Sequence, residues 1–227
     1  MAIEIPAEVN LVALGHTANY FRRKNEDRFT CAINNAHVAY RFEPDLIVAM
    51  DDFGRDKVSH PRYVDSIVNA GAPVISTRHW QDWPAVEPYP LDAVLDWLNL
   101  PPHVACKILS NSVNYAAAYL AMMGAEHIHF YGVEFVQPDR PGIVERQINF
   151  LDKAVWPDWT IYYMEALLRS PEEPGLDGFC WLVGFMHARN IKMKFPTGIA
   201  GQFTGTTFMD FDRPNFFYGY QDQPYVL

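Results

Sequence analysis

Short apolar runs that stop abruptly at small or polar residues recur along the chain. Three of them occupy residues 9–14, 29–33 and 46–50, and they end at Gly15, at Asn34-Asn35 and at Asp51-Asp52. Similar runs at residues 73–76, 106–109, 127–131 and 191–195 predict further strands. Uninterrupted apolar runs of this length are typical of strands that are buried on both faces of a parallel sheet.

Segments with helical spacing alternate with these runs. Residues 61–70, 91–100 and 112–123 place apolar side chains three or four positions apart, and residues 141–190 are predicted to be mostly helical. Alternating strands and helices indicate βαβ units. We therefore predict an α/β fold: a single Rossmann-like, doubly wound, mainly parallel sheet with a helical region. Residues 1–203 form one nucleotide-binding domain in this prediction, and residues 204–227 form a C-terminal tail.

The tail is rich in aromatic residues, which a solvated segment should not carry. Its rings include Phe208, Phe211, Phe216, Phe217, Tyr218 and Tyr220. Two arrangements satisfy this composition: the tail packs on its own domain, or it covers a second subunit. Because large apolar patches usually mark contact surfaces, we expect a homo-oligomer with the tail or residues 156–163 in or near the interface.

Charge and composition narrow the class of protein. The 227 residues carry a net charge of −9, which repels nucleic acid and makes small molecules the better expectation. The three cysteines, an odd number with no two close together, indicate neither a disulfide framework nor a zinc knuckle. The N-terminus lacks the pattern of a signal peptide, and no apolar stretch approaches the roughly 18 residues of a membrane helix. We expect a cytoplasmic protein without a membrane partner.

Polar clusters follow the predicted strands, where ligands bind in open α/β sheets. The five clusters are Gly15-His16-Thr17-Ala18-Asn19, Asn34-Asn35, Asp51-Asp52, Ser110-Asn111-Ser112 and Gly132-Val133-Glu134-Phe135. Gly15 forms either a plain tight turn or a close approach to phosphate. The amide of Asn34 suits a nucleobase, a ribose or a sugar hydroxyl.

Two of these clusters leave alternatives open. The serine hydroxyls at residues 110–112 either cap the following helix or help to bind a phosphate at its start. Asp51 and Asp52 either hold a magnesium ion or divide their roles, with one in the cleft and the other capping a turn. The chain has neither a glycine-rich dinucleotide fingerprint nor a phosphate-loop Gly-Lys-Ser/Thr, which disfavours hydride transfer and ordinary ATPase chemistry.

Together these motifs resemble a known family. Residues 11–19 (LVALGHTAN), 32–36 (AINNA) and 44–53 (PDLIVAMDDF) resemble the start of the bacterial sialyltransferase fold, glycosyltransferase family 42, and equally the related 6-hydroxymethylpterin diphosphokinase and motility accessory factor group. Residues 112–125 and 128–135 are similar to the later helix start and strand end of that fold. The resemblance covers roughly residues 9–135.

The resemblance implies roles for individual residues. Gly15 to Asn19 would wrap the donor phosphate, Asn34 would contact the nucleotide or its sugar, and Asp51 would stand where the sialyltransferases have a contacting Asn. Ser112 matches the serine of the helix start. We assign contacts with the activated donor to Gly15, Thr17, Asn19, Asn34, Asn35, Asp51, Asn111, Ser112 and Gly132.

The catalytic base is less directly implied, because residues 137–175 contain no histidine where the sialyltransferases carry theirs. A carboxylate or another histidine can deprotonate an acceptor hydroxyl. The candidates are Asp52, Glu134 and His16. We favour Asp52, because a like-charged neighbour at a strand end should raise its pKa.

Sequence and resemblance together predict a transferase that uses a nucleotide-activated donor, foremost a glycosyltransferase acting on a hydroxyl acceptor. The first alternative is a diphosphotransferase that moves pyrophosphate from ATP to a small alcohol through Mg²⁺ held by Asp51 and Asp52. The second alternative is a nucleotide-binding protein without catalysis. A nucleotide sugar is the expected co-substrate in the first interpretation.

Overall fold

The computed structural model of the chain describes residues 3–14, 18, 21, 27–59, 61–133 and 176–195. Seven strands in this part of the chain form one open sheet: β1 Glu8–Val12, β2 Thr30–Ile33, β3 Leu46–Ala49, β4 Val74–Ser76, β5 Val86–Pro88, β6 His127–Tyr131 and β7 Lys192–Lys194. The spatial order is β5-β4-β3-β2-β1-β6-β7, and all neighbouring strands are parallel.

Helices cover both faces of this sheet. They are α1 Ala36–Tyr40, α2 Phe53–Ser59, α3 Pro61–Val68, α4 Leu91–Leu98, α5 Pro102–Ile108, α6 Ser112–Met122 and α7 Leu176–Ala188. The larger core cluster joins one face of the sheet to α4, α5, α6 and α7. Two smaller clusters join the other face to α1, α2 and α3. The predicted α/β sheet flanked by helices is thus confirmed.

The buried strands explain why the apolar runs predicted the fold so well. All four residues of β2 and all four of β3 are buried, since each strand has neighbours on both sides and helices on both faces. Leu11 and Ile47 are fully buried on opposite faces of the sheet. Burying a side chain of this size stabilises the fold by about 1.5–3 kcal/mol.

One local prediction needs correction, and one strand was not predicted. Residues 106–109, predicted as a strand, lie in α5 and its end. Pro102 occupies the first turn of this helix, where a missing N–H costs nothing, and Ala105 and Ile108 bury the same side three residues apart. The strand β5 was not predicted, because only Val86 of its three residues is buried.

The strand order fixes where a ligand site belongs. The chain adds β1 to β5 in one direction across the sheet and then places β6 on the other side of β1. The crossovers therefore diverge at β1 and β6, and the carboxyl ends of the central strands border the resulting crevice. None of the helices in the described ranges is long and apolar enough to cross a membrane.

Candidate active site at the carboxyl edge of the sheet

The two neighbouring carboxylates after β3 have different surroundings. The Oδ1 atom of Asp52 accepts hydrogen bonds from the backbone N–H of Gly54 at 3.1 Å and of Arg55 at 3.2 Å. Asp52 thereby caps the start of α2, whose first amides have no partner within the helix. The Oδ2 atom of Asp51 instead accepts a hydrogen bond from the hydroxyl of Tyr63 in α3.

Burial sets the electrostatics of Asp51. Loss of solvent raises the pKa of this carboxyl, and the nearby charge of Asp56 acts in the same direction. The hydrogen bond from Tyr63 and the charge of Arg55 oppose the rise without cancelling it. The raised pKa thus belongs to the carboxylate that is taken out of water, as burial disfavours the charged form.

The start of α6 lies against the end of β3. Asn111 has extended backbone angles, and its side chain accepts a hydrogen bond from the N–H of Asn114 at 2.9 Å. The helix cap is therefore Asn111 rather than a serine. The Oγ of Ser112 accepts a hydrogen bond from the N–H of Met50 at 3.3 Å, which places this hydroxyl one residue from Asp51. A serine that accepts one bond still has a proton to donate.

The end of β2 presents an asparagine in a left-handed conformation. Asn34 has φ of 54°, and its backbone N–H donates to the carbonyl of Val48 at 3.0 Å. Its side-chain Oδ1 is buried and has no hydrogen-bond partner among the described residues. Asn35 is buried, and its carbonyl accepts from the N–H groups of Val38 and Ala39 at the start of α1. Asn34 therefore has a buried side-chain acceptor that is unpaired among the described residues, whereas Asn35 begins a helix.

The end of β6 supplies a glycine with a positive φ. Gly132 is buried and has φ of 71°, a backbone conformation that residues with a Cβ atom rarely adopt. Next to it, the N–H of Ala13 donates to the carbonyl of Tyr131 at 2.8 Å, so β1 and β6 remain paired up to their ends. The predicted site residues Gly15, His16, Thr17, Asn19 and Glu134 lie outside the described residues. The tail and residues 156–163 also lie outside them.

A magnesium site formed by the two aspartates stays a prediction. Across the described part of the chain, no group of three or more His, Cys, Asp and Glu side chains is arranged to hold a metal ion. One oxygen of Asp51 is bound to Tyr63, and one oxygen of Asp52 is bound to the amides of α2. This division of roles matches the second alternative raised from the sequence, in which one aspartate caps a turn.

Sequence reasoning missed three residues of this edge: Tyr63, Arg78 and Trp80. Arg78 follows β4, and its guanidinium lies 4.2 Å from the ring centre of Trp80 and 3.6 Å from the Oδ1 of Asp52. The signal for Arg78 was present, because Thr77 and Arg78 follow an apolar run just as Asp51 does. Tyr63 gave no such signal, because it occupies an apolar position of a helix that reaches Asp51 only in the folded chain.

The fold is similar to that of a solved glycosyltransferase. The structure of the sialyltransferase CstII from Campylobacter jejuni in complex with the substrate analogue CMP-3FNeuAc has a TM-score of 0.54 and 10% sequence identity, and the match covers 84% of this chain and 81% of that chain. A structure of the same sialyltransferase with cytidine-5'-monophosphate gives a TM-score of 0.47 at 10% identity, covering 84% and 79%.

The first of these two likenesses bears on the fold. The chain has the open α/β architecture found in a sialyltransferase, which confirms this part of the resemblance seen in the sequence. The likeness to the 6-hydroxymethylpterin diphosphokinase group stays a prediction. No protein-family model matches the chain, and no curated protein matches it in sequence.

Proposed function

We propose that the protein is a glycosyltransferase that uses a nucleotide-activated sugar donor and a hydroxyl acceptor. The observation that carries this proposal is the convergence of Asp51, Asp52 and Ser112 at the carboxyl edge of β3, within a fold shared with a sialyltransferase. Ligands of open α/β sheets bind at this edge. The solved sialyltransferase was crystallised with a CMP-linked substrate analogue, which supports a nucleotide sugar as the donor here.

In the proposed reaction an oxygen of the acceptor attacks the anomeric carbon of the donor sugar. The bond between that carbon and the nucleotide phosphate breaks, and the phosphate leaves with the bonding electrons. The acceptor proton passes to a base as the new glycosidic bond forms. Asp52 is the predicted base, because its Oδ2 accepts neither of the two capping bonds, which both fall on Oδ1. Glu134 and His16 remain the alternative bases.

The other polar groups have donor-binding roles in this proposal. Ser112 donates its hydroxyl proton to an oxygen of the donor, and the buried Oδ1 of Asn34 accepts from a base or sugar hydroxyl. Asp51, which Tyr63 holds in one orientation, accepts from another hydroxyl of the donor. Gly15, Thr17 and Asn19 are proposed to hold the donor phosphate.

Thermal-shift measurements with CMP, UDP, GDP and ATP test the binding part of this proposal, each with and without Mg²⁺. Stabilisation by one nucleotide without metal is the expected result. Ser112→Ala and Asn34→Ala should weaken that stabilisation, whereas the exposed Asp82→Asn should leave it unchanged. Stabilisation only by ATP with Mg²⁺ would favour the diphosphotransferase, and no stabilisation by any nucleotide would exclude both transferases.

A further inference from the structure

The end of β4 carries an arginine that is held in place by an aromatic ring. The guanidinium of Arg78 lies 4.2 Å from the ring centre of Trp80. Trp80 is itself fixed: its indole N–H donates to the Oγ of Ser76 at 3.3 Å, and its ring stacks on the fully buried Phe53 at 5.7 Å. An arginine stacked in this way loses less side-chain freedom when it binds a ligand.

The side-chain N–H groups of Arg78 form no hydrogen bond with the described residues. Its nearest charged partner is the Oδ1 of Asp52 at 3.6 Å, beyond hydrogen-bond distance, and this oxygen already accepts from Gly54 and Arg55. Among the described residues no hydrogen bond of the Arg78 side chain is formed, and 63% of the side chain is exposed. A guanidinium has five N–H donors in a planar fork that matches a carboxylate or a phosphate.

A glycine keeps this arrangement open. A Cβ atom on Gly54 would lie 3.1 Å from the Trp80 ring, 3.3 Å from the Oδ1 of Asp52 and 3.7 Å from the Nη2 of Arg78. A side chain at this position would therefore press on the Trp80 ring and on the Asp52 carboxylate, whereas its contact with Arg78 would be an ordinary van der Waals contact. Arg55, next to Gly54, has a second exposed guanidinium, which pairs with Asp56 at 3.3 Å.

This position is too far from β1 to serve a phosphate bound there. Strand β4 is separated from β1 by β3 and β2, so the strand ends lie about 14 Å apart at the usual spacing. The predicted phosphate turn, Gly15 to Asn19, follows β1. An anion bound by Arg78 is therefore a group other than that phosphate, and it lies beside Asp52, the proposed base.

We propose that Arg78 is a specificity-determining residue that binds a carboxylate or phosphate group of an acidic acceptor beside Asp52. This inference rests on the proposed function and names the chemical class of the acceptor. The negative group would lie against the free donors of Arg78, and an acceptor hydroxyl would then face Asp52. Arg55, whose guanidinium pairs with Asp56, is not the anchor in this proposal.

The test measures binding of four probes by NMR titration: glucose 6-phosphate, glucuronate, glucose and CMP. The variant is Arg78→Gln, and the matched control is Arg189→Gln. Arg189 also stacks on a tryptophan, at 5.1 Å from the ring centre of Trp97, but it follows α7 on another surface. Arg78→Lys keeps the charge but loses the fork, so it should recover only part of the binding.

The wild type and Arg189→Gln should both bind the two acidic sugars more tightly than glucose. Arg78→Gln should lose about 10-fold or more in affinity for the acidic sugars and bind CMP like the wild type. Equal affinity of the wild type for acidic and neutral sugars would overturn the inference, as would an Arg78→Gln variant that still prefers the acidic sugars. A parallel loss of CMP affinity in Arg78→Gln would also overturn it, by assigning Arg78 to the donor.

Failure of the inference differs from failure of the proposed function, because the titrations need no turnover. Preference for acidic sugars that depends on Arg78, in a chain that turns over no nucleotide sugar, would keep the anion site and remove the glycosyltransferase. Glycosyl transfer whose rate depends neither on the charge of the acceptor nor on Arg78 would keep the glycosyltransferase and remove the anion site.

Discussion

The hydroxyl of Tyr63 donates a hydrogen bond to the carboxylate of Asp51, and this contact joins α3 to the end of β3. It holds a carboxylate in a place where burial makes its charge unfavourable. Residues kept in unfavourable surroundings are common at binding and catalytic sites, where stability is lost in exchange for function.

Replacing Asp51 with Asn should separate the effect of the hydrogen bond with Tyr63 from the effect of the charge on Asp51. The amide oxygen can still accept from Tyr63, but the charge is gone, so we expect the free energy of unfolding at pH 7 to rise by about 0.5–2 kcal/mol. Because the folded-state pKa of Asp51 is raised, the carboxyl lowers stability as the pH rises through that value, and the variant should lack this loss. Urea denaturation at pH 4 and pH 7 measures both.

The same variant should lose activity if Asp51 binds the donor. Loss of a hydrogen bond to a charged group predicts a drop in kcat/KM of about 10- to 100-fold. Tyr63→Phe is the companion variant: it leaves the buried carboxylate without its donor and should destabilise the fold by about 1–3 kcal/mol. If Asp51→Asn proves less stable than the wild type at pH 7, the account of this contact is wrong.

The sequence predicts several residues of this candidate site, but not the different surroundings of Asp51 and Asp52. Strand ends are visible as apolar runs that stop, so Asn34 and Asp51 were found from this pattern. Ser112 was also named, although the residues before it form the end of a helix and not the predicted strand. Asp51 is half-buried and Asp52 is exposed, and the partner of Asp51 is Tyr63, twelve positions away on a helix. No local pattern contains that contact, and the interpretation of the Asp51-Asp52 pair was therefore left open.

The same holds for the fold: some elements can be predicted from their own residues, whereas others depend on contacts with distant parts of the chain. Strands β2 and β3 were predicted because burial on both faces demands apolar residues throughout. At residues 106–109 the apolar positions were too few to distinguish a strand from the end of a helix. Helix α7 packs against α5 through Gly178, and the local sequence of residues 106–109 does not contain this distant contact.

That packing gives a sharp test with two glycines of one helix. A Cβ atom on Gly178 would lie 2.4 Å from the carbonyl oxygen of Ile108 and 2.6 Å from that of Lys107. Gly178→Ala should therefore destabilise the fold by about 1–3 kcal/mol or more, since α5 and α7 must separate. Urea denaturation measures the change.

Gly184 is the matched control, because a Cβ atom there would meet nothing within 4 Å. Gly184→Ala should stabilise the helix by about 0.5–1 kcal/mol, the usual gain from replacing an exposed helical glycine. Equal effects of the two substitutions would show that α5 and α7 do not pack as described.

A partly exposed ionic cluster predicts a further property, the response of stability to acid. His129 on β6 has its Nε2 at 2.7 Å from the Oε1 of Glu8 on β1, and Arg28 lies 3.0 Å from the same oxygen. Burial, together with the charges of Arg28 and Lys194, lowers the pKa of His129, although Glu8 acts against this. For Glu8, burial acts to raise the pKa, but the hydrogen bond with His129 and the charges of Arg28, His129 and His127 leave it lowered.

Both shifts have the same consequence. As the pH falls below 6.5, the unfolded chain takes up a proton at this histidine before the folded chain does, so stability falls. Glu8 adds a further loss below its ordinary value of 4.5. Urea denaturation between pH 8 and pH 5 should show the first part of this decline.

His129→Gln should flatten the decline between pH 6.5 and pH 5 while the side chain still donates to Glu8. His103→Gln is the matched control, because His103 is exposed on α5 and lies outside this cluster. An unaltered profile in His129→Gln would assign the acid response to other groups.

Glycosyl transfer at this edge of the sheet is tested most directly by nucleotide release from a panel of CMP-, UDP- and GDP-sugars with purified protein, in which water accepts the glycosyl group. We predict metal-independent release from one donor and a loss of about 100-fold or more in Asp52→Asn, with donor binding nearly intact. Asp82→Asn, an exposed aspartate that pairs with Lys57 at 3.0 Å, should retain full turnover. Release that Asp52→Asn does not slow would contradict the assigned base, and no release from any nucleotide sugar would contradict the function itself.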